Sequence, residues 1–182
     1  MRSRSQVICP PNSNWRENVQ IAIGAGAAET VTDVMKLHPG NEDVLDRCAM
    51  CLSHLCYDPA TAEQIADQGG VDAVLASIDS NKNLPSESIA NGLTMIESVM
   101  SNPNAAAKVI NEELVQRILT ILAENNHDPQ IALSCLRVLE KVGKTDAGLA
   151  MIQRCGGEAA TKSQRFPSLP FPSISNTSLH SS

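Results

Sequence analysis

Three stretches of the chain carry the same arrangement of apolar positions: Cys51-Leu52-Ser53-His54-Leu55, Gly92-Leu93-Thr94-Met95-Ile96 and Cys135-Leu136-Arg137-Val138-Leu139. Each reads small-Leu-x-x-aliphatic, and the leucines lie 41 and 43 residues apart. The match extends outward. Val71 and Ile78 correspond to Leu114 and Ile121, each 43 residues on, and Ile65 before Gly69-Gly70 recurs as Ile152 before Gly156-Gly157. A unit of about 40–47 residues, unable to bury its apolar face alone and so stacked on its neighbours, is the physical reading of such a period.

Polar punctuation falls in step. Asp58-Pro59, Asn102-Pro103 and Asp128-Pro129 each place a capping side chain before a proline. The side chain accepts from a free backbone N–H, and proline lacks the N–H that a first helical turn leaves unused. Leu84-Pro85-Ser86 is expected to open a helix in the same manner. Gly69-Gly70 supplies the left-handed or tight geometry that ends one helix and starts the next, and His38-Pro39-Gly40 is a breaker. These signals predict helices over 42–57, 59–68, 71–79, 85–101, 103–111, 113–125, 129–143 and 146–155, with a further pair over 15–23 and 27–37.

Over roughly residues 17–157 this pattern resembles the armadillo family, in which a short helix ending at Gly-Gly precedes two longer ones. The Ile-x-x-x-Gly-Gly segments and the leucine-rich third helices carry the resemblance. It implies an all-α, right-handed helical-repeat superhelix of three to four repeats over residues 15–157. A disordered segment 1–14 and a disordered Ser/Pro-rich tail 158–182 are expected to flank it. HEAT-like repeats or a plain helical bundle fit the same periodicity.

Composition narrows the function. Hydrophobic residues make up 42% of the chain but aromatics only 2%, so the core rests on Leu, Ile, Val, Ala, Met and Cys. Between Glu17 and Glu158 nine basic residues meet all 20 acidic ones, a net charge of −11. So acidic a body repels phosphate backbones, which argues against nucleic acid as a partner. No apolar run reaches the roughly 18 residues of a membrane span. Val7-Ile8-Cys9 is too short for a signal-peptide core, and Pro10-Pro11 interrupts any targeting helix after Arg2 and Arg4. A cytoplasmic or nuclear location is expected.

Residues able to do chemistry are scattered. Cys48-x-x-Cys51, with His54 and Cys56 nearby, is the one metal-like group, since positions three apart share a helix face. Because Cys51, Gly92 and Cys135 are equivalent small positions, buried structural cysteine is preferred over a metal site. Cysteines inside predicted helices also fit reduced thiols better than a disulfide framework. No histidine lies in a catalytic motif, and Gly24-Ala25-Gly26 lacks the strand that a dinucleotide loop requires. Neither an enzyme nor a cofactor is expected.

The resemblance implies that the third helix of each repeat lines an inner groove that holds extended peptides. The corresponding partner-binding positions are Arg47, Met50 and His54, then Ser88, Asn91 and Met95, then Ile131, Ser134 and Val138. The family's nuclear-import receptors carry Trp and Asn ladders in this groove. Here Met50, Asn91 and Ser134 stand at the Trp-like positions and His54, Met95 and Val138 at the Asn-like ones, so the ladder is missing. A non-enzymatic scaffold or adaptor is the expectation. An Hsp70 co-chaperone of the armadillo-like nucleotide-exchange type is the alternative, by analogy of fold alone. Without a visible cap after Gly156-Gly157, the last repeat is expected to expose apolar surface and promote self-association.

Overall fold

The computed structural model describes residues 15–162, with side chains over 16–156. Residues 1–14 and 163–182, on which the disorder expected of segment 1–14 and of most of the tail falls, lie outside the described residues. Ten helices follow in order, and the described residues contain no strand. They are α1 (Trp15–Gly24), α2 (Ala27–Leu37), α3 (Glu42–Leu55), α4 (Pro59–Asp67), α5 (Gly70–Ser80), α6 (Ser86–Met100), α7 (Pro103–Val109), α8 (Glu112–Glu124), α9 (Pro129–Val142) and α10 (Asp146–Lys162). None of them is long and apolar enough to cross a membrane.

Local chemistry sets most of these boundaries. Asp58 accepts from Thr61 N at 2.9 Å, Asn102 from Asn104 N at 2.8 Å and Asp128 from Gln130 N at 2.8 Å, each before a proline at the helix start. Asn41 and Asn111 cap α3 and α8 in the same way, accepting from Val44 N and Leu114 N. At α6 the expectation of proline inside the helix is corrected. Pro85 occupies the cap position with extended ψ, and Ser86 is the first helical residue.

The two glycines between α4 and α5 serve different needs. Gly69 takes a left-handed φ of 71°, open to L side chains only with strain. Gly70 is needed for space, because a Cβ there would lie 2.6 Å from Ile65 Cγ2. The expected end of the helical body at Gly157 is also corrected. α10 continues through Gly156 and Gly157 to Lys162, so residues 158–162 are helical. Glycine in a helix interior costs about 1 kcal/mol relative to alanine, which the following Glu-Ala-Ala run of helix formers offsets in part.

Packing repeats every three helices. α6 lies between α3 and α9, α4 packs on α7, and α2 packs on α5. Hydrogen bonds tie the same partners. Asn81 Nδ2 donates to Gly40 O at 3.0 Å, Asn102 Nδ2 to Pro59 O at 3.0 Å, and Lys108 Nζ to Asp67 at 2.7 Å. The core runs along this stack, with Leu45, Leu52, Leu93, Met95, Ile96, Ile118 and Ile131 all buried. Each such side chain contributes about 1.5–3 kcal/mol of apolar transfer energy.

Two glycines of α10 make opposite predictions. A Cβ at Gly148 would run into the Val142 carbonyl oxygen, whereas one at Gly156 meets nothing within 4 Å. Gly148→Ala is expected to lower the unfolding free energy by about 1–3 kcal/mol, the usual cost of overpacking. Gly156→Ala is expected to raise it by about 0.5–1 kcal/mol through helix propensity. Urea titrations followed by circular dichroism check both, and equal midpoints for the two variants would contradict this account.

The caps also carry a pH dependence. The backbone N–H and hydroxyl of Thr61 hold the Asp58 carboxyl below its ordinary range, against a smaller opposing effect of desolvation. The Ser86 hydroxyl and the Ile131 N–H, in that order, lower Asp128. A depressed folded-state pKa gives stability that is complete above the unfolded value near ~3.9 and lost as pH falls through the folded value. Asp58→Asn keeps a capping acceptor but cannot titrate. Its stability is therefore expected to fall less steeply than wild type below about pH 5, as thermal melts across that range would report.

Candidate functional site

Burial shows how the third helices of the successive triplets correspond. Leu45, Cys48, Ala49 and Leu52 of α3 are buried, as are Ile89, Gly92, Leu93 and Ile96 of α6 and Ile131, Ser134, Cys135 and Val138 of α9. These sets are offset by 44 and then 42 residues. The leucine alignment instead uses 41 and 43. It therefore slips by three residues at α6 and by two at α9, and two residues turn a helix by about 200°.

That slip decides where the expected binding residues fall. On α3, Arg47, Met50 and His54 are all exposed. On α6 only Asn91 reaches the surface, where its Nδ2 donates to Asp46 Oδ1 at 3.4 Å. Ser88 and Met95 are buried, with Met95 reaching toward Gly70 at the start of α5. On α9 Ile131, Ser134 and Val138 are all buried. These five side chains belong to the helix contacts and cannot meet a partner. Leu136, matched by sequence to the buried Leu52 and Leu93, is instead 54% exposed.

The corrected offsets define a different row. Arg47, Asn91 and Leu133 stand at one level of the three stacked helices, and Met50, Thr94 and Leu136 at the next. Leu133 is 52% exposed and Met50 36%, so α9 and, on the far side of α6, α3 each present apolar side chains to solvent. The three helices share a longer pattern, aliphatic-x-x-small-x-x-x-aliphatic, that fits this register once burial has fixed it. The five-residue leucine match does not fit it.

Charge sets this face apart. The ion pairs among the described residues join α2, α4, α5, α7, α8, α10 and the loop before α6. They include Lys108 with Asp67 and Glu63, Arg117 with Asp79, Lys82 with Glu124, and Arg154 with Glu112. Glu42, Asp43, Glu87, Glu97 and Glu140 of the third helices have no cation within salt-bridge reach among the described residues. Elsewhere, a cleft of about 350 Å³ opens between the end of α5, the start of α6 and α8. Ile78, Ile89 and Ile121 line it, and Arg117 with Asp79 and Lys82 with Glu124 bridge it.

The cysteines are placed for packing. Cys48 and Cys135 are buried, Cys51 and Cys56 partly so. Burial pushes the Cys48 thiol up, with the neighbouring Cys51 adding to the rise, and burial alone raises Cys51. Cys56 and Cys135 are each pushed up to about 12. Raised values keep the thiols protonated, the opposite of what a nucleophile or a metal ligand requires. No three His, Cys, Asp or Glu side chains among the described residues group so as to hold a metal ion. Gly24 closes α1 and Gly26 takes a left-handed φ of 79° before α2, so that glycine run forms a helix junction.

Cys56 and Cys135 are accordingly expected to react with Ellman's reagent at pH 8 at least about tenfold more slowly in the native protein than in urea. Equal rates in the two states would show that burial does not control these thiols. No family model, no curated protein and no solved structure gives a significant match to this chain.

Proposed function

We propose that this protein is a non-enzymatic scaffold or adaptor whose helical triplets form an armadillo-like, right-handed stack. Its third-helix face takes extended segments of partner proteins. The observation that carries the reading is the pair Leu133 and Leu136, both more than half exposed on one face of α9 in a chain whose other third-helix leucines are buried or half-buried. Apolar side chains left together on a surface, rimmed by polar ones, commonly mark a contact site. Met50 extends that surface to α3, and Asn91 and Thr94 between them offer polar atoms to a peptide backbone.

The geometry also supports binding over catalysis. The thiols are held protonated, and His54 stands on the open face without a hydrogen-bonded carboxylate or nucleophile beside it among the described residues. A catalytic base needs a group to orient it and a reacting atom within hydrogen-bond reach. Cysteine as thiol at Cys48, Cys51, Cys56 and Cys135 accords with a reducing compartment, and we place the protein in the cytoplasm or nucleus.

Selection from a displayed library of random peptides tests this reading. Selected peptides are expected to lose at least about tenfold in affinity on Leu133→Asp with Leu136→Asp, equivalent to about 1.4 kcal/mol. They should be unaffected by Lys82→Ala at the α5–α8 cleft. Peptides that respond to Lys82→Ala and not to the leucine changes would move the site to that cleft.

A further inference from the structure

The large apolar side chains left exposed among the described residues all lie before residue 58 or after residue 132, and α4–α8 expose none. They fall where the rows of stacked helices stop. Ala28, Thr32 and Met35 of α2 are matched 43 residues on by Val71, Leu75 and Ile78 of α5, and both sets are buried. In that register Ala73 and Ser77 of α5 are buried as well, whereas their counterparts Thr30 and Val34 of α2 are exposed. α5 packs on α2, and among the described residues α2 has no earlier second helix to pack on in turn. Leu37, one turn beyond Val34 on the same side of α2, is 75% exposed, and Ile21 of α1 is 65% exposed. At the other end, α9 has α6 on one side and no later third helix on the other. Ala132 is half-buried where the matching Ala90 of α6 is buried, and Leu136 of α9 and Leu149 of α10 are exposed.

Charge selects what covers each end. The described side chains up to Tyr57 include Glu17, Glu29, Asp33, Glu42, Asp43 and Asp46 against Arg16, Lys36 and Arg47, a net of −3. From Pro129 to Gly156 the sign reverses, with Arg137, Lys141, Lys144 and Arg154 against Glu140 and Asp146, a net of +2. Setting Arg154 aside for its pair with Glu112 of α8 still leaves this end positive. Adding Arg2 and Arg4 to the first end and Glu158, Lys162 and Arg165 to the last, all outside the described side chains, changes neither sign. Two like ends therefore repel, and two unlike ends attract.

We infer that this protein associates with itself head to tail, the α1–α2 end of one copy packing on the α9–α10 end of the next. Ile21, Val34 and Leu37 then cover Leu136 and Leu149 of the neighbouring copy. The inference goes beyond the docking reading and shares only Leu136 with it. Such a contact joins two different surfaces, so copies add in series and do not close as a twofold pair. So small a patch belongs at the weak end of specific interfaces, with a Kd of about 10–100 µM.

Sedimentation equilibrium of the full chain between about 5 and 500 µM tests this, with two variants beside wild type. One is Ile21→Asp with Leu37→Asp, the other Leu136→Asp with Leu149→Asp, all at exposed positions. The wild-type average mass is expected to rise with concentration, and each variant alone to remain monomeric. An equimolar mixture of the variants restores one intact contact and is expected to form a dimer that grows no further. A monomeric wild type throughout the range overturns the inference. Association that survives in either variant does so too, because one end then meets its own kind. Variants that keep the wild-type circular dichroism yet stay monomeric when mixed are equally fatal. Selected peptides, measured at about 1 µM, should bind the Ile21→Asp, Leu37→Asp variant as they bind wild type. If they do while the mixture fails, only self-association falls. A mixed dimer alongside peptides that ignore Leu133 and Leu136 removes the docking reading alone.

Discussion

The close approach of α3, α6 and α9 is the contact on which the rest of the structure depends. At the centre of each helix stands a small buried residue, Cys48, Gly92 or Ser134, flanked by aliphatic side chains. Gly92 also lets α5 come close, since a Cβ there would lie 2.9 Å from Val74 Cγ1 of α5, with Leu45 Cδ1 of α3 at 3.7 Å. With no phenylalanine in the described core, the helices fill space by coming close, not by inserting large rings. α6 is buried more completely than its neighbours because it has a third helix on either side.

Once those helices are stacked, the polar groups divide between two tasks. First and second helices spend their charges on one another, through Lys108 with Asp67, Arg117 with Asp79 and the Asn102 rung to Pro59. Exposed pairs of this kind contribute little each, about 0–1 kcal/mol, but they fix register between elements three apart. Third helices spend almost none of theirs. Their carboxylates and leucines therefore remain available on one face, and this is why the binding reading settles there and not on the α5–α8 cleft, whose charges already bridge it.

Much of the fold is legible in the chain because helix ends are local events. Asp58, Asn102 and Asp128 cap whichever helix follows them, and Gly69 turns the backbone left-handed whatever surrounds it. The ten helices consequently lie close to where capping and breaking residues put them. Local rules failed where the cue was weak. Gly156 and Gly157 look like a terminator, yet neither is followed by a residue that must break the helix, and α10 runs on through them.

The sequence by itself determined the helical class, the boundaries and a period near 43 residues, since each depends on neighbours within a turn or two. Only the tertiary structure decided which side of α6 and α9 faces solvent. A leucine at 52, 93 or 136 has the same propensity and nearly the same local context, but Leu52 and Leu93 meet packed neighbours and Leu136 does not. Rotation of a helix about its own axis is set by what it packs against, and a slip of two or three residues between repeats is enough to exchange a core position for a surface one.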